Sequence, residues 1–209
     1  MPQTPIDRSP EPIRLFQSSF FERLTHISPL VVLILWAPVC GCFLVAALLD
    51  RPARTSLLYI PLAWLLGLFI WTFVEYVVHR FVFHFRPRTP WQERVLFLFH
   101  GVHHAQPQAK TRLVMPPAVS IPLALFFYGL FYMAGSLLAS ARWVAPLFSG
   151  FVAGYLTYDM LHYATHHLPM RGKLLKYLKR HHMLHHFKTP DQRFGVSSPL
   201  WDIVFGTMG

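Results

Sequence analysis

The sequence predicts an all-α integral membrane protein. The expected architecture is a four-helix bundle of two hairpins, with a cytoplasmic helical cap holding a histidine-rich di-metal site. Three observations predict it. Four apolar runs approach the ~20 residues that cross a bilayer as a helix. Arginine and lysine are crowded into the segments that would share one side of the membrane. Histidine falls into four short clusters at helical spacing, at or beyond the ends of apolar runs.

The opening stretch "MPQTPIDRSPEP" is proline-rich and lacks periodicity, so residues 1–14 are expected to be disordered and 15–209 to form one membrane-embedded domain. "IRLFQSSFFERLTHIS" is amphipathic enough to lie on a membrane surface. The first apolar run is Ile27 to Leu49, the second Leu57 to Val78, the third about Ala118 to Ser140 and the fourth Trp143 to about Leu161. The first starts late and continues to spanning length, unlike a signal peptide. Only "AR" separates the third from the fourth, which predicts a tight hairpin. Pro38, Pro61, Pro122 and Pro146 lie in or beside these runs, and membrane helices tolerate such breaks where neighbours satisfy the freed carbonyls. Cys40 and Cys42 are expected to be buried thiols without a disulfide.

Charged residues make up 13% of the chain, about half the share of a soluble domain, which argues against a soluble protein with long core helices. The net charge of +10 reads as a basic membrane-proximal face, not a nucleic-acid surface. Arg8, Arg14 and Arg23 precede the first run. Arg80, Arg86, Arg88, Arg94, Lys110 and Arg112 follow the second, and seven more cations follow the fourth. The two hairpin tips hold only Arg51 and Arg54, and Arg142. Both termini and the middle segment are therefore expected on the cytoplasmic side.

Of 13 histidines, all but His26 fall into the four clusters, and His26 reads as interfacial. "HRFVFH" holds His79 and His84; "HGVHH" holds His100, His103 and His104. "HYATHH" holds His162, His166 and His167; "KRHHMLHH" holds His181, His182, His185 and His186. Residues three and four apart share a helical face, so the second and fourth clusters each place three imidazoles on a narrow arc, and His162 and His166 point together. His167 is rotated about 100° from His166. The five-residue step from His79 to His84 predicts that the helix ends or unwinds locally there. Imidazole suits iron, zinc, copper or nickel, and no cluster contains the cysteine of a zinc finger. Ten imidazoles exceed one metal's needs. Two metals held by about five each, or by four with shared or open positions, fit the count. Glu75 and Asp159 lie near the clusters and are candidates for orienting imidazole N–H groups.

Other readings account for less. A metal sponge or a pH sensor does not require ligand spacing in every cluster. A lipid-headgroup patch suits the cations of "RGKLLKYLKR" better than the histidines. A metal transporter or sensor should carry its ligands near the membrane midplane. A lipid-binding scaffold leaves the clusters unexplained.

The order HX4H, HX2HH, HX3HH, HX2HH, together with "GYLTYDMLHYATHH", "RGKLLKYLKRHHMLHHF" and "FGVSSPLWDIVFGT", resembles the fatty acid hydroxylase superfamily, and within it the fatty acid 2-hydroxylase branch. The likeness covers about Leu15 to Thr207. The histidine order is shared with sterol-oxidising enzymes and carotenoid hydroxylases, so desaturation, or hydroxylation of a sterol or carotenoid ring, is the nearest alternative reaction. The "YD" of Tyr158 and Asp159 and the "LWD" tail are similar to the 2-hydroxylase branch alone. The resemblance implies a membrane monooxygenase with two iron ions, which zinc can replace in purified protein, using O2 and electrons from an external donor. It implies hydroxylation next to the carbonyl of a fatty acid or ceramide-like N-acyl chain. It makes His79, His84, His100, His103, His104, His162, His166, His182, His185 and His186 the ligands, and gives Tyr158 and Asp159 supporting or substrate-positioning roles. His167 and His181 stay open, the latter because it is one turn from His185. Relatives often carry a fused cytochrome b5 domain. No "HPGG" stretch precedes the first run here, so the expected donor is a separate cytochrome b5-like or ferredoxin-like protein.

Overall fold

A computed structural model of the chain describes residues 6, 7, 9, 11–50 and 56–209. Arg8, Arg51 and Arg54, and the first five residues of the stretch expected to be disordered, lie outside the described residues. Among the described residues all regular structure is helical. In chain order the α-helices are α1 (Ser19–Arg23), α2 (Pro29–Leu49), α3 (Tyr59–Val77), α4 (Pro90–Leu96), α5 (Val102–Ala105), α6 (Pro117–Leu137), α7 (Val144–His167), α8 (Lys173–Phe187) and α9 (Leu200–Val204). Two π-helical turns, Val78–Phe83 and Phe97–Gly101, continue α3 and α4. The chain forms two compact units. One comprises Leu30–Trp71 and Met115–Thr157. The other comprises Thr72–Val114, Tyr158–Gly209 and the described residues up to Pro29.

In the first unit, helices α2 and α6 each begin on a proline, whose missing N–H costs nothing at a helix start. Among the described residues three helices are long and apolar enough to cross a membrane: α2, α6 and the continuous run Tyr59–Phe83, of which the part from Thr72 belongs to the other unit. Their apolar residues face outward as well as inward. Leu30, Ile34, Val45 and Leu48 of α2 and Leu125, Phe126, Met133 and Leu137 of α6 are exposed, as expected of helices whose solvent is hydrocarbon. Helix α7 holds the fourth expected run but is not among the candidate spans. Its sequence explains this: Ser149, Gly150, Gly154 and Thr157 dilute the run, while Phe148, Ser149, Phe151, Val152 and Tyr155 are buried. Enclosure by protein removes the need for an apolar exterior.

Small residues set the approach of α7 to its neighbours. A Cβ on Gly150 would stand 1.9 Å from the Trp64 carbonyl oxygen, so α3 and α7 touch backbone to backbone. Ser149 donates to the Cys40 carbonyl at 2.9 Å, and the Trp36 indole N–H donates to Ser120 at 3.1 Å. Trp71 meets Tyr155 edge to face at 5.4 Å. The expectation that both thiols are buried fails at Cys42. Cys40 is half-buried and Cys42 is exposed, because residues two apart on a helix point to nearly opposite sides.

In the second unit, the amphipathic stretch from Ile13 to Ser28 is helical only at α1, with Phe20, Phe21 and Leu24 exposed. The Glu22 carboxylate accepts from the Leu15 and Phe16 amides and pairs with Arg112. Within the 1–14 stretch, Asp7, Ser9, Glu11, Ile13 and Arg14 are hydrogen-bonded. Buried Gln106 donates to Asp7, Ser9 and the Glu11 carbonyl and accepts from the Ile13 amide.

Gly150→Ala should lower the stability of the detergent-solubilised protein by about 1–3 kcal/mol, the usual range for overpacking. Thermal unfolding monitored by circular dichroism checks this; an unchanged midpoint would contradict the backbone contact.

Candidate metal centre

Ten imidazoles of the second unit gather into two groups of five. His79, His84, His100, His104 and His185 form one, and His103, His162, His166, His182 and His186 the other. Within each group the facing nitrogens all lie within 4.8 Å of one another. These are the ten histidines marked by spacing, but each three-histidine arc is divided. His100 and His104 turn to the first group and His103 to the second. On α8, His182 and His186 turn to the second and His185 to the first. Each group is thus two pairs one helical turn apart, completed by the middle histidine of the remaining HX2HH motif.

The π-helical turn accounts for the first pair. An i→i+5 hydrogen-bonding pattern brings residues five apart over one another; the π turn ends at Phe83 with His84 as its C-cap, so the helix both widens and stops there, as the five-residue step predicts, and His84 lies beside His79 in one group. The second π turn, Phe97–Gly101, leads into α5 and carries His100. Phe83 stacks on the His100 ring at 4.9 Å.

The nitrogens are arranged as donors to an ion. In the first group, Nε2 of His100 lies 3.0 Å from that of His79 and 2.9 Å from that of His104, and the His84 and His185 pair is 3.1 Å apart. In the second, His103 Nε2 lies 2.9 Å from both His162 and His186, and His166 lies 2.9 Å from His182. Two nitrogens about 2.1 Å from one ion lie about 3.0 Å apart at right angles and about 3.4 Å apart in a tetrahedron. The shortest spacings are within the range that donors to one ion would take.

Protonation agrees. The Nδ1 of His79 faces the Phe194 carbonyl and that of His185 the Gln192 carbonyl, the latter at 2.7 Å. A carbonyl only accepts, so Nδ1 carries the proton and Nε2 presents its lone pair to its neighbours. Burial, reinforced by the surrounding imidazoles, holds His100, His103, His182, His185 and His186 well below the ordinary histidine range. It lowers His84 in the same sense and brings His104 down to about 3. Neutral rings whose ring nitrogens converge are suited to a cation at each of two points, so the residues present fit two metal ions.

The remaining candidates have other positions. His167 lies outside both groups, against Tyr163 at 4.9 Å. His181 is buried yet turns away, its Nε2 3.1 Å from the Asp202 carboxylate. Tyr158 stacks on His162 at 5.7 Å, and Asp159 beside it is buried. The Glu75 carboxylate accepts from the Val196 and Ser197 amides and from the Ser197 hydroxyl. Its link to an imidazole runs through the segment that carries Phe194. Lys179 donates to the Leu168 carbonyl at 3.0 Å, closing the C-terminal end of α7, while Lys176 and Arg180 are exposed.

Sequence reasoning missed Asp202, Thr207 and the carbonyls of Gln192 and Phe194. Asp202 is wholly buried and accepts four hydrogen bonds, from the Phe194 and Gly195 amides, Thr207 and His181. Burial alone would raise its pKa, but these bonds more than offset it and hold the carboxyl below its usual range. The available signal was an aspartate inside the apolar run "LWDIV", a charge that enters a core only with partners.

The fold and the site together define a class of helical protein with candidate membrane spans and a histidine-rich candidate metal centre. The chain belongs to the fatty acid hydroxylase family, whose sequence model matches residues 64–207. It is 39% identical over 197 residues to a dihydroceramide fatty acyl 2-hydroxylase of Arabidopsis thaliana, covering 93% of this chain and 79% of that one. It is 37% identical to a ceramide very long chain fatty acid hydroxylase of Saccharomyces cerevisiae, covering 90% of this chain and 48% of that one. Among solved structures, it is similar to full-length scs7p, of which only the hydroxylase domain is visible, with a TM-score of 0.81 at 36% identity. That match covers 90% of this chain and 69% of the other.

The depressed imidazoles set a pH window. Unfolded histidine titrates near 6.5 and folded His104 near 3, so between these values the unfolded chain binds more protons. Stability present above pH 6.5 is then lost as pH falls, by about 1.4 kcal/mol per unit for each such ring. Chelator-treated protein should melt at a lower temperature at pH 5.5 than at pH 7.5. Equal midpoints would show that the rings are not held neutral.

Proposed function

We propose that the chain is a membrane monooxygenase with two iron ions that hydroxylates a lipid acyl chain at the 2-position, on a fatty acid or a ceramide-like N-acyl lipid. The convergence of ten neutral imidazoles into two groups of five carries the di-metal part of this reading. The names of the relatives support the reaction and the lipid class. In this reading each group of five holds one metal. When bound, the metals supply the redox chemistry by which O2, two electrons and two protons place one oxygen atom in a C–H bond and release the other as water.

The protein binds, orients and excludes water. Burial of the imidazoles keeps them neutral and keeps bulk solvent from the reacting carbon. Phe81, Val82 and Phe99, exposed beside residues of the first group, offer apolar surface to an acyl chain. The stack of Tyr158 on His162 holds that ring in place, and with Asp159 it positions the substrate's polar end. The apolar runs form a four-helix membrane bundle of two hairpins, with α7 as its enclosed member. The histidine-bearing residues form a cytoplasmic cap, with both termini on that side. Electrons arrive from a separate cytochrome b5-like or ferredoxin-like carrier. The exposed cations Lys176 and Arg180 suit either an acidic carrier or a lipid headgroup.

Elemental analysis of the purified chain should find close to two transition-metal ions per molecule; content near zero would remove the di-metal reading. Lipid analysis of cells expressing the chain should show acyl species heavier by one oxygen at the 2-position. These should be absent from cells expressing His185→Ala at equal membrane level. Species lighter by two hydrogens would point to desaturation, and oxygenated sterols or carotenoids to a different substrate class.

A further inference from the structure

The segment joining α8 to α9 contains no histidine, yet two of the ten imidazoles end on it. His185 donates to the Gln192 carbonyl and His79 to the Phe194 carbonyl, and both rings belong to the same group of five. The segment has little freedom of its own. Asp202 takes the Phe194 amide at 2.9 Å and the Gly195 amide at 2.8 Å, one on each carboxylate oxygen. Thr207 shares the first oxygen at 2.7 Å and His181 the second at 3.1 Å. Thr207 also donates its amide to the Asp202 carbonyl, and its own carbonyl accepts from Arg193. A Cβ at Gly195 would meet the Ser198 carbonyl oxygen at 2.1 Å and the Asp202 carboxylate at 3.0 Å, so the segment wraps the carboxylate as closely as a backbone can. The second group has no such segment behind it: the buried Nδ1 atoms of His103, His182 and His186 have no hydrogen-bond partner among the described residues, and in the first group His84 is in the same position, so the support is confined to His79 and His185.

We propose that Asp202 is a positioning residue for one of the two metals only. By fixing the 192–195 segment it sets the ring orientation and tautomer of His79 and His185. It thereby governs occupancy of the group formed by His79, His84, His100, His104 and His185 and leaves the other group unaffected. The inference rests on the di-metal reading above. A carbonyl behind a ligand imidazole fixes which nitrogen carries the lone pair and raises its basicity; losing such a partner costs about 10- to 100-fold in metal affinity. Here two partners lie on one short segment, so one substitution disturbs both. His181 thereby gains a role: it sits on the ligand helix but buttresses the carboxylate.

The test is metal content of the full chain in detergent after dialysis against chelators of increasing strength. Asp202→Asn has the same shape but turns one acceptor oxygen into an amide donor facing existing donors. It should reach a plateau near one metal per chain while the wild type holds two, at a chelator strength about 10- to 100-fold lower than the wild type needs. Thr207→Val, which removes a single donor and leaves the carboxylate, should lose the same one metal at an intermediate strength. Adding His79→Ala to Asp202→Asn should leave the plateau near one; adding His166→Ala should bring it near zero. Parallel loss of both metals, or retention of both throughout, overturns the proposal. If Asp202→Asn is not recovered as a monodisperse protein, the Thr207→Val series decides by the same plateau. A wild type without metal would instead overturn the di-metal reading itself.

Discussion

The constraint on which the histidine-bearing unit depends is the burial of many neutral imidazoles whose lone pairs face each other. A neutral ring has one N–H and one acceptor nitrogen. With its Nδ1 proton committed to a carbonyl, as in His79 and His185, each Nε2 can only accept. Packing such nitrogens about 3 Å apart is unfavourable without a cation between them and favourable with one. The surrounding structure serves that requirement. The π turns adjust the phase of the helices, the C-terminal segment supplies carbonyls, and Asp202 and Glu75 bind that segment through its amides.

Much of this was legible in the sequence, because helical spacing is a strict geometric code. His162 and His166, His182 and His186, and His100 and His104 are each one turn apart, and each pair does meet one group. The division of the HX2HH motifs was not legible. Spacing places His103 and His185 on the same arc as their neighbours and says nothing of which nitrogen cluster lies to either side. The step from His79 to His84 signalled a helix that ends or unwinds, and the chain does both, in a π turn that stops at Phe83. Asp202 was hidden for another reason: its partners are mostly backbone amides, which carry no mark in the sequence.

The candidate membrane spans show the opposite balance. Apolar composition alone marks α2, the run Tyr59–Phe83 and α6, because hydrocarbon is a uniform solvent that asks only for length and apolarity. Helix α7 escapes that rule because its environment is other helices. Its small residues buy close approach, and Phe148, Phe151 and Tyr155 fill the spaces left over. The same logic separates the two thiols: Cys40 lies against Ser149, and Cys42, two residues on, is exposed.

The two groups of five are alike in donors and unlike in support. Each combines two helical pairs with one histidine borrowed from a helix that mainly serves the other group. Helix α8 and the stretch from His100 to His104 therefore feed both, and neither group can be assembled without helices that also build its neighbour. Assembly is shared, but what stands behind the rings is not. Carbonyls of a segment held by a buried carboxylate back His79 and His185, whereas the Nδ1 atoms of His103, His182 and His186, and of His84 in the first group, have no hydrogen-bond partner among the described residues. Since the electron density a ligand offers depends on the partner of its other nitrogen, equal sets of imidazoles would present unequal sites to metal ions. That inequality originates in the chain between Gln192 and Thr207, a stretch that itself contributes no ligand.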